Sequence, residues 1–166
     1  VITNNSYGLA TNDCRYNGVY DLNARLVDEQ AFAHPALLHV FAAGNDGGYT
    51  CSPFPNGYAT ILGGYQSGKN VITVGRSEYD QKYSASSSSG PVADGRLKPE
   101  ISALGIIEST NGAGNSYYGD YGTSMSAPNV AGALALLYQR YYQLHGGANP
   151  AGSLMKAILL NGARDL

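Results

Sequence analysis

The chain has 166 residues, of which 43% are apolar, and its formal net charge is −2 at pH 7. This length and apolar content are sufficient for one domain with a buried core. The small negative charge and the lack of a basic cluster argue against nucleic acid or anionic lipid as a partner, and no membrane span is predicted.

Strand-like and helix-like segments alternate along the chain. Residues 1–5 are predicted to form a strand, and residues 21–32 a helix with Asp21 at its N-terminus. The apolar face of this helix is expected to contain Leu22, Leu26 and Val27. The remaining elements, in chain order, are predicted strands at 37–43, 71–75 and 101–104 and predicted helices at 124–143 and 151–162.

Continuous apolar runs, such as residues 37–43 apart from His39, are typical of strands covered on both faces. The fold class is therefore α/β, with a mostly parallel sheet flanked by helices. The helix 124–143 carries apolar residues at helical spacing among small residues, so we expect it to be almost wholly buried. Segments rich in Gly, Ser, Asn and Tyr are predicted loops at 46–58, 84–90 and 109–121.

Cys14 and Cys51 each follow a predicted strand at a short distance. If the two strands are parallel neighbours, both loops leave the same edge of the sheet. A disulfide then requires Cα atoms within about 4.4–6.8 Å, and two free thiols remain an equally good interpretation. No further Cys or His lies at ligand spacing, so no metal site is predicted.

Ser124 is predicted in the first turn of the helix 124–143. Helix N-termini carry unpaired N–H groups and the positive end of the macrodipole, so an anionic oxygen beside Ser124 would be stabilised as acyl transfer requires. The alternative is an ordinary helix start with Thr123 as the N-cap. Pro128 lacks an N–H, which costs little there only if the corresponding carbonyl finds another partner, and otherwise a bend in the helix is expected.

Four short motifs are the most specific feature of the chain. Residues 1–8 end in Ser-Tyr-Gly, and residues 41–45 read Phe-Ala-Ala-Gly-Asn. Residues 90–101 contain Gly-Pro, Asp-Gly-Arg and Lys-Pro-Glu-Ile, and residues 122–128 read Gly-Thr-Ser-Met-Ser-Ala-Pro. In this order they resemble segments of the subtilisin-like serine proteases, the subtilases, over nearly the whole chain. Leu104 departs from the pattern, because the family usually has proline there.

The resemblance implies roles for particular residues. Ser124 would be the nucleophile, and Asn45 with the backbone N–H of Ser124 would form the oxyanion hole, supported by the Thr123 hydroxyl. The implied substrate-binding residues are Ser6, Tyr7 and Gly8 along the peptide backbone, and Ala42, Ala43 and Gly44 as one wall of the primary specificity pocket. Met125 would be open to oxidative inactivation. Without the serine motif, Asn45 would be interpreted as a turn residue with left-handed geometry.

Two catalytic partners of the serine are not recognisable in the chain. Subtilases order their catalytic residues as Asp, His and Ser, and no segment resembles the family's aspartate or histidine motifs. His34, His39 and His145 are poorly placed as substitutes, since a base must lie within hydrogen-bond reach of the serine. We therefore interpret residues 1–166 as the C-terminal part of a subtilase catalytic domain, lacking its N-terminal strands and inactive alone.

The implied function is that of a secreted serine endopeptidase acting on peptides or proteins through an acyl-enzyme. No cofactor is evident, although calcium binding would be consistent with the intact parent. The missing N-terminal half is the expected partner of this chain. Two alternatives stay open: a pseudoprotease that binds peptides without cutting them, and a structural module that self-associates through the unpaired edge strand 1–5.

Overall fold

A four-stranded parallel sheet forms the centre of the computed structural model, which describes residues 1–9, 11, 13–111 and 114–165. In spatial order its strands are β1 (Ile2–Asn5), β2 (Leu38–Ala42), β3 (Ile72–Ser77) and β4 (Ile101–Leu104). Every neighbouring pair is parallel. The predicted α/β class is confirmed, and each of these strands lies within two residues of its predicted bounds.

Helices cover both faces of the sheet. α1 (Leu22–Ala33) packs on one face, and α2 (Thr123–Leu144) and α3 (Gly152–Asn161) pack on the other. The core beneath α2 consists of Leu38, Val40 and Ala42 from β2, Ile72 and Val74 from β3, Ala127, Val130 and Leu134 from α2, and Met155 from α3. Alternate residues of β2 therefore face opposite sides, and Phe41 packs with Val27 of α1.

The start of α1 agrees with the sequence-based prediction, whereas the face of the helix that is buried differs from the predicted one. The Asp21 carboxylate accepts the N–H groups of Asn23 and Ala24 at 2.8 and 3.1 Å, as an N-cap does. Leu22 and Leu26 are exposed, so the predicted apolar face is wrong for both. The buried positions are instead Ala24, Val27 and Asp28.

Asp28 explains this rotation of the helix. Its carboxylate accepts the backbone N–H groups of Lys69 and Asn70, at 2.9 and 2.7 Å, and the Tyr20 hydroxyl at 2.8 Å. A buried carboxylate is tolerated only when hydrogen bonds replace its water, and here they also fix α1 to the segment before β3.

The expectation that α2 would be almost wholly buried is wrong. Only Thr123, Ser126, Ala127, Val130 and Leu134 are buried, and the last three pack in the core against β2 and β3. Leu136 is 67% exposed, and Gly132 and Ala133 are exposed beside it. Gly132 and Ala133, two of the small residues that suggest close packing on every side, therefore lie on the outer face of the helix.

An antiparallel hairpin stands where the sequence predicts a loop, at residues 109–121. β5 (Ile106–Asn111) pairs with β6 (Ser116–Tyr121), so the loop prediction is wrong for both strands. Residues 112 and 113 of that prediction lie outside the described part of the chain. Threonine and tyrosine suit a strand, but β6 is exposed along most of its length and so lacks the apolar pattern by which strands are recognised.

A disulfide joins the loops that follow β1 and β2. Cys14 and Cys51 are bonded, with their Cα atoms 5.5 Å apart. The alternative of two free thiols is therefore wrong. Because β1 and β2 are parallel neighbours, this bond crosses the carboxyl edge of the sheet.

Candidate active site

The start of α2 lies at the carboxyl edge of the sheet, where β1 and β2 end. Open α/β sheets bind ligands at this edge. Ser6 follows β1, Asn45 follows β2 after two buried residues, and Ser124 is the second residue of α2. Hydrogen bonds connect these three segments of the chain to one another.

Ser124 is partly exposed, and its backbone is held from the end of β1. The Ser6 hydroxyl donates to the Ser124 carbonyl at 3.0 Å. In a regular helix this carbonyl would accept the N–H of residue 128, but Pro128 has none. Ser6 therefore satisfies the carbonyl that the proline leaves free, and α2 continues through Pro128.

Thr123 connects the start of α2 to the segment after β2. Its N–H and its hydroxyl both donate to Asn45 Oδ1, at 2.9 and 3.2 Å, and its hydroxyl accepts the N–H of Gly44 at 3.2 Å. The N-cap is Gly122, which makes no side-chain cap bond, so the interpretation of Thr123 as an N-cap is wrong. The amide of Asn45 instead satisfies the first N–H of the helix.

These bonds orient the Asn45 side chain. Asn45 is exposed, and with Oδ1 turned to Thr123 its Nδ2 donor faces away from that residue. The positive φ of this turn, +115°, falls on Gly44 and not on Asn45, so the left-handed interpretation of Asn45 is also wrong. Gly122 has φ +149°, and a Cβ there would lie 3.3 Å from the Asn45 amide, so glycine allows this close approach.

Gln66 connects the segment after β1 to the end of β2, and it lies in no recognisable sequence motif. It lies in a short 3₁₀ helix, Gly64–Ser67, and is fully buried. Its Nε2 donates to the carbonyls of Tyr7 and Ala42, at 2.8 and 3.1 Å. The segment 6–8 and the segment 42–44 therefore lie against each other. Ala42, Ala43 and Gly44 are buried, and the Tyr7 ring packs edge-on against Phe41.

A sequence model described as Subtilase family matches residues 1–166. The chain belongs to the subtilase family. C5a peptidase of Streptococcus pyogenes is 40% identical to it over 87 residues, which cover 51% of this chain and 8% of that protein.

Solved proteases share the fold. The prenylagaramide maturation protease PagA has a TM-score of 0.73 and 24% identity, covering 98% of this chain and 51% of its own. The self-cleaved protease domain of PatA has a TM-score of 0.71 and 23% identity, covering 98% of this chain and 54% of its own. This subtilase chain thus spans about half the length of these structures and a far smaller part of C5a peptidase.

The three histidines of this subtilase chain lie away from Ser124. His145 follows the end of α2, about 31 Å along the helix axis from Ser124 at 1.5 Å per residue. His34 follows α1 at the opposite edge of the sheet. His39 is buried on the α1 face, where its Nδ1 bonds Thr3 Oγ1 at 2.8 Å and burial lowers its pKa.

Asp46 follows Asn45, and burial raises the pKa of its carboxyl above the ordinary value. Among the described residues, no group of three or more His, Cys, Asp or Glu side chains is arranged to hold a metal ion. No helix in the described ranges is long and apolar enough to cross a bilayer.

Proposed function

We propose that the protein carrying this chain is a secreted serine endopeptidase that cleaves peptide bonds through an acyl-enzyme. The observation that carries this proposal is the bridge formed by Thr123, which brings the Asn45 amide to the residue beside Ser124. A hydroxyl nucleophile and a fixed amide donor at the start of one helix are the parts that acyl transfer needs.

Ser124 Oγ attacks the peptide carbonyl carbon, and the carbonyl oxygen becomes an oxyanion. The backbone N–H of Ser124 and Nδ2 of Asn45 donate to that oxyanion. Collapse of the tetrahedral intermediate breaks the C–N bond and leaves the acyl group on Ser124, and water then releases it. This acyl transfer uses protein groups alone, without a cofactor.

The proton of Ser124 needs an acceptor within hydrogen-bond reach. Since the three histidines lie elsewhere, the acceptor in our proposal comes from the half of the catalytic domain that these 166 residues do not contain. That half is also the proposed partner of β1, which has β2 as its one sheet neighbour among the described strands. The chain alone is then inactive, and its free edge promotes self-association.

The peptide is proposed to bind along residues 6–8 as an added strand. The Tyr7 carbonyl points inward to Gln66. In our proposal residues 6–8 are extended, so that the carbonyls of Ser6 and Gly8 face the side opposite that of Tyr7, where a peptide backbone can pair with them. Residues 42–44 form the neighbouring wall of the primary pocket. The disulfide supports an extracellular location, since such bonds persist in oxidising compartments.

A fluorophosphonate probe tests this function. We expect the complete protein to be labelled at Ser124, a Ser124→Ala variant to lose the label, and Ser153→Ala, an exposed serine on α3, to keep it. The isolated 166-residue chain should remain unlabelled and should scatter light as an oligomer. Prompt stoichiometric labelling of the isolated chain would contradict the proposed source of the base. A complete protein that binds peptides yet takes no label would be a pseudoprotease.

A further inference from the structure

One leucine side chain contacts both walls of the proposed pocket. A Cβ built on Gly8 would lie 2.8 Å from Leu62 Cδ1 and 2.5 Å from Gln66 Nε2. A Cβ built on Gly44 would lie 2.7 Å from Leu62 Cγ. The glycines of the two walls therefore face the same side chain, and Leu62 is only 8% exposed.

Leu62 is held in this place by its backbone. Its N–H donates to the Ala43 carbonyl at 3.2 Å, and the next residue, Gly63, forms an antiparallel bridge with Leu9. Leu62 is thereby fixed to one wall, while its neighbour is fixed to the end of the other. These bonds fix the backbone position from which the Leu62 side chain projects.

Gln66 fixes the same segment from its other end. The two bonds from its Nε2 hold the wall carbonyls together, and its own carbonyl accepts the Thr73 hydroxyl of β3 at 2.7 Å. Gln66 is a positioning residue, because it sets the separation of the walls without reaching the reacting atoms.

We infer that Leu62 and Gln66 close the primary pocket, so that the substrate is a peptide with a small side chain, as in glycine, alanine or serine, directly before the scissile bond. This inference rests on the proposed function. A leucine or phenylalanine side chain would have to occupy the space that Leu62 fills, and overpacking of that kind is disfavoured.

The test uses the complete protein and peptides that differ only in the residue before the scissile bond. We expect kcat/KM for alanine to exceed that for phenylalanine by about 10-fold or more, the range that pocket shape provides. Leu62→Ala should narrow this ratio by raising cleavage after phenylalanine. Leu97→Ala, the same change at a residue that is 85% exposed, should leave the ratio unchanged.

The outcomes distinguish a failure of the pocket inference from a failure of the proposed function. A wild-type protein that is labelled at Ser124 but prefers phenylalanine or leucine would overturn the inference alone, even if Leu62→Ala does not fold. A complete protein that takes no fluorophosphonate label would overturn the proposed function, and the inference with it. An alanine preference that persists in folded Leu62→Ala would also count against Leu62 as its cause.

Discussion

Replacing Thr123 with valine would test how the start of α2 holds the Asn45 amide. The substitution conserves shape and removes one hydroxyl. Two bonds are lost, the one donated to Asn45 Oδ1 and the one accepted from the Gly44 N–H, both at 3.2 Å. The shorter bond, from the Thr123 N–H to Asn45 Oδ1 at 2.9 Å, is retained because it belongs to the backbone.

The magnitudes follow from these contacts. Leaving the buried Gly44 N–H without a partner should lower the free energy of unfolding by about 1–3 kcal/mol. Asn45 would be loosened but still held, so one hydrogen bond of about 1 kcal/mol corresponds to a fall in kcat of about fivefold. Asn45→Leu removes the proposed oxyanion donor, and for that change we expect a loss of about 10²–10³ in turnover, as for the loss of one such donor in subtilisin.

The assay compares kcat, KM and the unfolding midpoint of the complete protein with those of Thr123→Val. Thr123→Ser keeps the hydroxyl and serves as the matched control, with kcat close to wild type. The reasoning fails if Thr123→Val leaves both kcat and stability unchanged. It also fails if Thr123→Val lowers kcat as far as Asn45→Leu, because the backbone bond alone would then not orient the amide.

Three stability measurements by urea denaturation follow from the fold. Asp28→Ala leaves two backbone N–H groups and a tyrosine hydroxyl unpaired and should cost about 3–5 kcal/mol, whereas exposed Glu29→Ala should cost almost nothing. Replacing Cys14 and Cys51 by serine should cost about 4 kcal/mol, since the bond closes a loop with a sequence separation of 37. Burial lowers the pKa of Lys98 to about 8, so the unfolded chain holds this proton more tightly. Stability should therefore rise by about 3 kcal/mol as pH increases from about 8 to 10.5, and Lys98→Met should lose that rise.

The central strands could be predicted because the burial of each strand is reflected in its own residue types. β2 and β3 are buried at every position, and both appear in the sequence as largely apolar runs, apart from His39 in β2 and the polar residues of β3. The hairpin β5–β6 has no such pattern, because it is hydrogen-bonded by its backbone while most of its β6 side chains meet water. The exposed face of α2 is equally hard to predict, since glycine and alanine suit both a packed and a solvated helix face.

Likewise, some residues of the candidate site could be predicted from the sequence and others could not. Ser124 and Asn45 lie within short motifs, so residue type and spacing are enough to point to them. Leu62 and Gln66 lie in a segment without such a motif, and their importance depends on contacts with two distant segments. A fully buried glutamine amide that bonds two carbonyls is identified by its partners, and folding alone brings those partners together.

The carbonyl that Pro128 leaves without a helical donor is satisfied by a residue that is distant in the sequence. The missing N–H of Pro128 leaves the Ser124 carbonyl without a helical donor, and the sequence alone predicts either a bend or another partner. The partner is Ser6, which precedes Ser124 by 118 positions. An alanine at position 128 would supply an N–H that competes for this carbonyl, so the proline keeps it available to Ser6. One hydrogen bond thereby couples the proposed peptide-binding edge to the backbone of the proposed nucleophile, and a shift of either would be transmitted to the other.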